Sequence, residues 1–248
     1  MPAVKGEEGI LLAAGAADAP PIVLVHGVAA NRCAWRPLIA ELEPHYRLVA
    51  LDLPGHGASR TRFSFASAVA AITDLCRAQA APPTLVGWSL GGLLALRVIA
   101  DEPTVASSLV LIGATIQPGR LLGPLLVAAS LTHRLGNIEP ARRLATRLLA
   151  GRYGTAALPI TGCGLAPGNG LLALRDVGRE NWLSLASRVS LPVLIANGSR
   201  DRIARRVEPR FAAAMPQASV THIRGAGHLA PIERPAELAA AVDGFLHR

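Results

Sequence analysis

Gly87-Trp88-Ser89-Leu90-Gly91-Gly92 decides how this chain is read. Pro82-Pro83 and a short apolar strand pattern at residues 84–86 precede it, and an apolar helical pattern at residues 93–100 follows it. A strand that passes into a helix within a few residues must turn sharply, and glycines on either side of Ser89 remove the clashes that side chains would cause there. The small-x-Ser-x-small spacing then lifts one hydroxyl above the end of a buried strand; the alternative is a serine that merely caps the helix. The spacing alone is common by chance. Its place between an apolar strand and an apolar helix makes it specific.

Working outward, residues 22–25 are a β-branched apolar run ending in His26-Gly27, and residues 46–53 are a second strand ending in Pro54-Gly55-His56-Gly57. Helical spacing at 35–42 and 67–80 separates these strands, and residues 108–113 form another buried strand after Pro103. Residues 9–14 are expected at the sheet edge. This alternation predicts an α/β fold, a mostly parallel sheet with helices on both faces. It stops at residues 115–187, where helical patterns with Pro and Gly breaks predict a helical lid insertion. It resumes with a strand at 192–197, a helix at 207–214, a strand at 219–223 and a closing helix at 235–246. The core domain is therefore 1–114 and 188–248, with the lid at 115–187.

A serine hydroxyl needs an adjacent base to attack anything at neutral pH, and imidazole has the suitable proton affinity. His228 follows a strand in Gly225-Ala226-Gly227-His228-Leu229-Ala230-Pro231, at the sheet edge where open parallel sheets bind ligands. His45 precedes a strand, His222 lies within one and His247 is terminal, so they fit less well. The carboxylate that orients the base should also come from a strand end, and Asp201 in Gly198-Ser199-Arg200-Asp201-Arg202 meets this, unless it is a surface turn residue paired with a neighbouring arginine. The backbone N–H groups of Val28 and Leu90 are the expected oxyanion donors, His26 is expected to fix their loop, and Trp88 and Leu229 are expected to wall the substrate pocket.

His26-Gly27, Asp52-Leu53-Pro54-Gly55-His56-Gly57, Gly87-Trp88-Ser89-Leu90-Gly91-Gly92, Asp201 and Gly227-His228 with Glu233-Arg234-Pro235 together resemble the α/β-hydrolase superfamily. The resemblance covers the chain outside the lid and implies that Asp52 and His56 are structural. Trp88-Ser89-Leu90-Gly91-Gly92 is similar to the pimeloyl-acyl-carrier-protein methyl ester esterases, which carry Trp where Val28 stands here. What these residues imply is a serine hydrolase cleaving a carboxylic ester or thioester through an acyl-enzyme, with no cofactor and no metal. The same triad serves lactone opening, carbon–carbon bond hydrolysis and perhydrolysis elsewhere in the superfamily, and fold does not choose among them. A non-catalytic ligand-binding homologue usually lacks a triad member, whereas all three are present here.

The 248 residues suit one α/β domain with an insertion, and their +8 formal charge raises the question of an acidic partner. The arginines are not interleaved with aromatics and no nucleic-acid motif is present, so nucleic acid is not expected. Arg120, Arg134, Arg142, Arg143, Arg147, Arg152, Arg175, Arg179 and Arg188 outnumber Glu139, Asp176 and Glu180 around the lid. A helix at 140–150 would turn Arg142, Arg143 and Arg147 away from an apolar face, either as a solvated surface or as a dock for an acyl carrier protein. The apolar run 121–131 is too short to span a bilayer, and Glu7 and Glu8 stand where a secretory signal would be basic then apolar, so a cytoplasmic location is expected. Cys33, Cys76 and Cys163 have no paired spacing and are expected to serve packing.

Overall fold

The computed structural model describes residues 6–117, 147 and 170–248. Eight strands form one sheet: β1 (Gly6–Glu8), β2 (Leu11–Ala14), β3 (Pro21–Val25), β4 (Arg47–Leu51), β5 (Thr84–Trp88), β6 (Ser108–Ile112), β7 (Val193–Gly198) and β8 (Ala218–Ile223). Their order is β1-β2-β4-β3-β5-β6-β7-β8. The β1–β2 and β2–β4 pairs are antiparallel, and all others are parallel. The expected edge strand is thus a two-stranded hairpin.

Strands β5, β6 and β7 are buried at every position, which is why they are continuous apolar runs in the sequence. Alternate residues feed two cores. Val23, Val25, Leu85, Leu109, Leu111 and Ile195 face α2 (Phe65–Arg77) and α3 (Leu90–Asp101). Ile22, Leu24, Val86, Val110 and Ile112 face α1 (Arg36–Leu42) on the other side. β8 is an edge strand, so its outer positions are wet and Val220 is 41% exposed.

Helix α2 begins two residues ahead of its expected start because Ser64 and Ser67 form a reciprocal capping box. Helix α3 begins directly after Ser89, since the elbow leaves no linker. After α4 (Gly170–Val177) and α5 (Trp182–Ala186) come α6 (Arg202–Arg205), α7 (Glu208–Ala214), α8 (Ala230–Glu233) and α9 (Pro235–Leu246). Helices α4 and α5 fall at the end of the expected lid. Trp182 is wholly buried there and its indole N–H donates to the Val177 carbonyl at 2.8 Å, while Arg97 Nη1 on α3 donates to Glu180 at 2.7 Å. The expected helix at 140–150, with Arg142 and Arg143, lies outside the described residues, as do Arg120, Arg134 and Arg152; Arg147 is helical and exposed.

Cys76 is a buried free thiol, and burial pushes its pKa up to about 12. Cys33 departs from the packing expectation: it is wholly buried but disulfide-bonded. No described helix is long and apolar enough to cross a membrane.

Candidate active site

Ser89 sits at φ 54°, ψ −118°, between the last residue of β5 and the first of α3. Among the described residues only it and Ala29, at φ 58°, are non-glycine residues with positive φ. Such conformations cost roughly 1–3 kcal/mol each and persist where the surroundings enforce them. The enforcement is visible in the glycines. A Cβ on Gly91 would lie 2.2 Å from the Val25 carbonyl oxygen, and one on Gly87 would lie 2.4 Å from Gly92 Cα. The Ser89 N–H is tied to the Ile112 carbonyl at 2.8 Å, which joins the elbow to the next strand.

The structure brings Ser89, His228 and Asp201 together. His228 Nε2 lies 3.0 Å from Ser89 Oγ, and His228 Nδ1 lies 2.7 Å from Asp201 Oδ2. Asp201 caps α6, its Oδ1 accepting from the Ala204 N–H at 3.1 Å, and it is 4% exposed. Burial alone would raise its pKa; the bond to His228, the imidazole charge and the backbone donors outweigh burial and hold it below the usual carboxylate value. An ionised Asp201 accepts a hydrogen bond from the His228 Nδ1–H, leaving Nε2 to accept from the serine hydroxyl. Gly113, at φ +58°, lies beneath this pair. A Cβ there would stand 3.0 Å from His228 Cε1 and Nδ1 and 3.3 Å from Asp201 Oδ2.

A buried polar network supports the pair from below. Asn197 Oδ1 accepts from the Gly113 N–H at 2.8 Å, and its Nδ2 donates to Thr115 Oγ1 at 2.9 Å and Glu208 Oε2 at 2.7 Å. Thr115 donates to the Ala204 carbonyl at 2.8 Å, and Glu208 Oε1 meets His222 Nε2 at 2.8 Å. Asn197 therefore links the backbone beneath His228 to the helix carrying Asp201. Sequence reasoning did not single out Asn197, Thr115 or Glu208; the available signal was one amide at the end of an otherwise apolar strand. Glu233, whose carboxylate accepts from the Gly227 N–H, is a further brace of the histidine loop.

Val28 lies in the loop after β3, and Leu90 opens α3, where its N–H has no acceptor within the helix. A Cβ on Gly27 would be 3.2 Å from Ser89 Cβ, so this loop runs against the elbow. His26 holds the loop: its Nδ1–H donates to the Gly27 carbonyl at 2.8 Å, and its Nε2 accepts from the Leu53 N–H at 3.1 Å. Burial, reinforced by His56, pushes the His26 pKa down to about 3, and burial lowers that of His56 as well. Asp52 receives the Arg32 guanidinium and the N–H groups of Arg32 and Ala58. Leu229 is half-buried beside His228. Trp88 is 4% exposed and its indole N–H donates to the His228 carbonyl at 2.7 Å. Among the described residues no group of three or more His, Cys, Asp or Glu could hold a metal.

Residues 22–241 match the model of the alpha/beta hydrolase family. A pimeloyl-[acyl-carrier protein] methyl ester esterase of Xanthomonas oryzae pv. oryzae (strain MAFF 311018) is 32% identical over 92% of this chain and 95% of its own length. Among solved structures, a thermophilic esterase from Thermogutta terrifontis superposes with a TM-score of 0.79 at 24% identity, covering 96% of this chain and 92% of that one. The enol-lactonase from Burkholderia xenovorans LB400 superposes with a TM-score of 0.82 at 19% identity, covering 96% of each chain. With this match over nearly the whole sheet and its loops, the chain belongs to the alpha/beta hydrolase family.

Proposed function

We propose that the chain is a serine esterase acting on a carboxylic ester or thioester. The observation that carries this reading is the unbroken run of hydrogen bonds from Asp201 through His228 to Ser89, at 2.7 and 3.0 Å. Ser89 Oγ attacks the carbonyl carbon as its proton passes to His228 Nε2, and the N–H groups of Val28 and Leu90 receive the charge that develops on the carbonyl oxygen. The imidazolium then protonates the departing alcohol or thiol. Water, losing its proton to the same nitrogen, cleaves the acyl-enzyme and restores Ser89. The strained Ser89 backbone supports the assignment because such strain persists where it is used, and the depressed Asp201 pKa supports it because it keeps the carboxylate ionised against the base.

The relative's name supports an ester carried on an acyl carrier protein as the substrate class, and we place the chain in the cytoplasm. A short to medium acyl group is the expected cargo. In this reading residues 115–187 form a lid over the pocket beside Leu229, and its arginines steer the acidic carrier. A fluorophosphonate probe tests the chemistry: it should label the native protein and leave Ser89→Ala unlabelled. Turnover of p-nitrophenyl esters of increasing chain length should fall beyond medium chains. Reversal of Arg142, Arg143 and Arg147 to Glu should slow carrier-bound esters and spare free ones; equal rates on both would remove the carrier from the reading.

A further inference from the structure

We infer that Trp88 is the positioning residue that sets the distance between the base and the nucleophile; this rests on the serine-esterase reading above. The expectation that Trp88 walls the pocket would have it present a face to substrate, yet it is 4% exposed and belongs to the core on the α1 side of the sheet. Its ring meets Trp35 edge to face, with centroids 6.5 Å apart at 80°. Its one polar atom reaches the His228 carbonyl at 2.7 Å.

Ahead of the histidine, the loop that carries His228 is tied to the segment after β7, where the Gly225 N–H donates to Ser199 Oγ at 2.9 Å and the Ala226 carbonyl accepts from the Arg200 N–H at 2.8 Å. It lies between β8 and α8, and it contains Gly225 at φ +71° and Gly227. Its backbone is held on one side by Glu233, which accepts from the Gly227 N–H, and beyond it by the start of α8, where the Leu229 carbonyl accepts from Ile232 and Glu233. The carbonyl of His228 itself is held by Trp88. Trp88 and Ser89 are consecutive residues, so any shift of the β5 terminus carries the anchor and the nucleophile together. The imidazole is thereby referenced to the strand that bears the hydroxyl it must meet. A phenylalanine at position 88 could fill the same core but has no donor for this carbonyl.

The test compares the native protein, Trp88→Phe, and a variant with benzothienylalanine placed at position 88 by codon suppression, which keeps the bicyclic shape with sulfur in place of the N–H. Ester hydrolysis, thermal unfolding and the downfield NMR resonance of the His228 Nδ1 proton are measured on each. Both variants should lose on the order of ten- to a hundredfold in kcat, with KM changed by less than about twofold, because a misplaced base affects the transition state and leaves binding alone. The His228 resonance should broaden in both, and native tryptophan restored by the same suppression should return full activity. A raised KM with unchanged kcat would return Trp88 to the pocket wall, and unchanged kinetics in the isostere would also overturn the inference. If Trp88→Phe does not fold, the isostere decides; an unfolded isostere assigns the N–H to overall stability and overturns it too. Absence of Ser89-dependent labelling in the native protein is a separate result, which sinks the esterase reading itself.

Discussion

Asp201 uses both carboxylate oxygens, one for the base and one for its own helix, so replacing it separates orientation from folding. Asp201→Asn keeps the shape and an oxygen for the Ala204 N–H, but an amide cannot stabilise the imidazolium; kcat on a p-nitrophenyl ester should fall by about 10⁴-fold with little change in Tm. Asn197 behaves differently. Asn197→Leu leaves the Gly113 N–H and one oxygen of the Glu208 carboxylate without partners in a dry interior, the other oxygen keeping His222, and should cost about 3 kcal/mol in urea denaturation. Ser89, Asp201 and His228 could be proposed from the sequence because each sits in a glycine-marked turn that follows a strand. Asn197, Thr115 and Glu208 could not, since a buried hydrogen-bond network joins residues far apart in the chain and leaves no spacing to read. The role of Trp88 was hidden for a related reason: an aromatic before the nucleophile reads as pocket lining until the partner of its N–H is known.

At the scale of elements, two glycine substitutions should have opposite signs. Gly91→Ala places a methyl 2.2 Å from the Val25 carbonyl, where only backbone could move, and should cost about 3 kcal/mol or more while suppressing turnover. Gly244→Ala lies within α9 with nothing inside 4 Å of the added carbon, and should raise stability by about 1 kcal/mol. Thermal unfolding of the two variants checks both, and a stabilised Gly91→Ala would refute the crowded elbow. The interior strands were legible because strands buried on both faces become uninterrupted apolar runs. Short helices such as α6 and α8 were not, because four residues carry too little periodicity, and the hairpin β1–β2 was half-seen for want of a strong turn signal before Gly9. The closing helix was read with its observed bounds, Pro235 giving its first turn away.

For the molecule as a whole, acid sensitivity should begin above the carboxylate range. In the unfolded chain an imidazole takes its proton near pH 6.5, whereas buried His26 resists until about 3, so the unfolded state binds more protons between those values. Stability contributed by the neutral histidine is complete above pH 6.5 and is lost as pH falls toward 3, by about 1.4 kcal/mol per unit for His26. His56, also shifted downward by burial, adds in the same direction. Denaturation midpoints should therefore drop between pH 7 and 5, and His26→Gln should flatten the slope; a midpoint constant across that interval would show that these rings are not held neutral.

The order in which the sheet is laid down has one more consequence. Ser89 and its loops come from the first half of the polypeptide, while Asp201 and His228 follow β7 and β8, the last strands made and the outer ones of the sheet. The hydroxyl is therefore made well before the groups proposed to take its proton. On the serine-esterase reading proposed above, activity requires the segment that carries β7, β8 and His228 to have docked, so products that stop short of His228 should be inert toward esters.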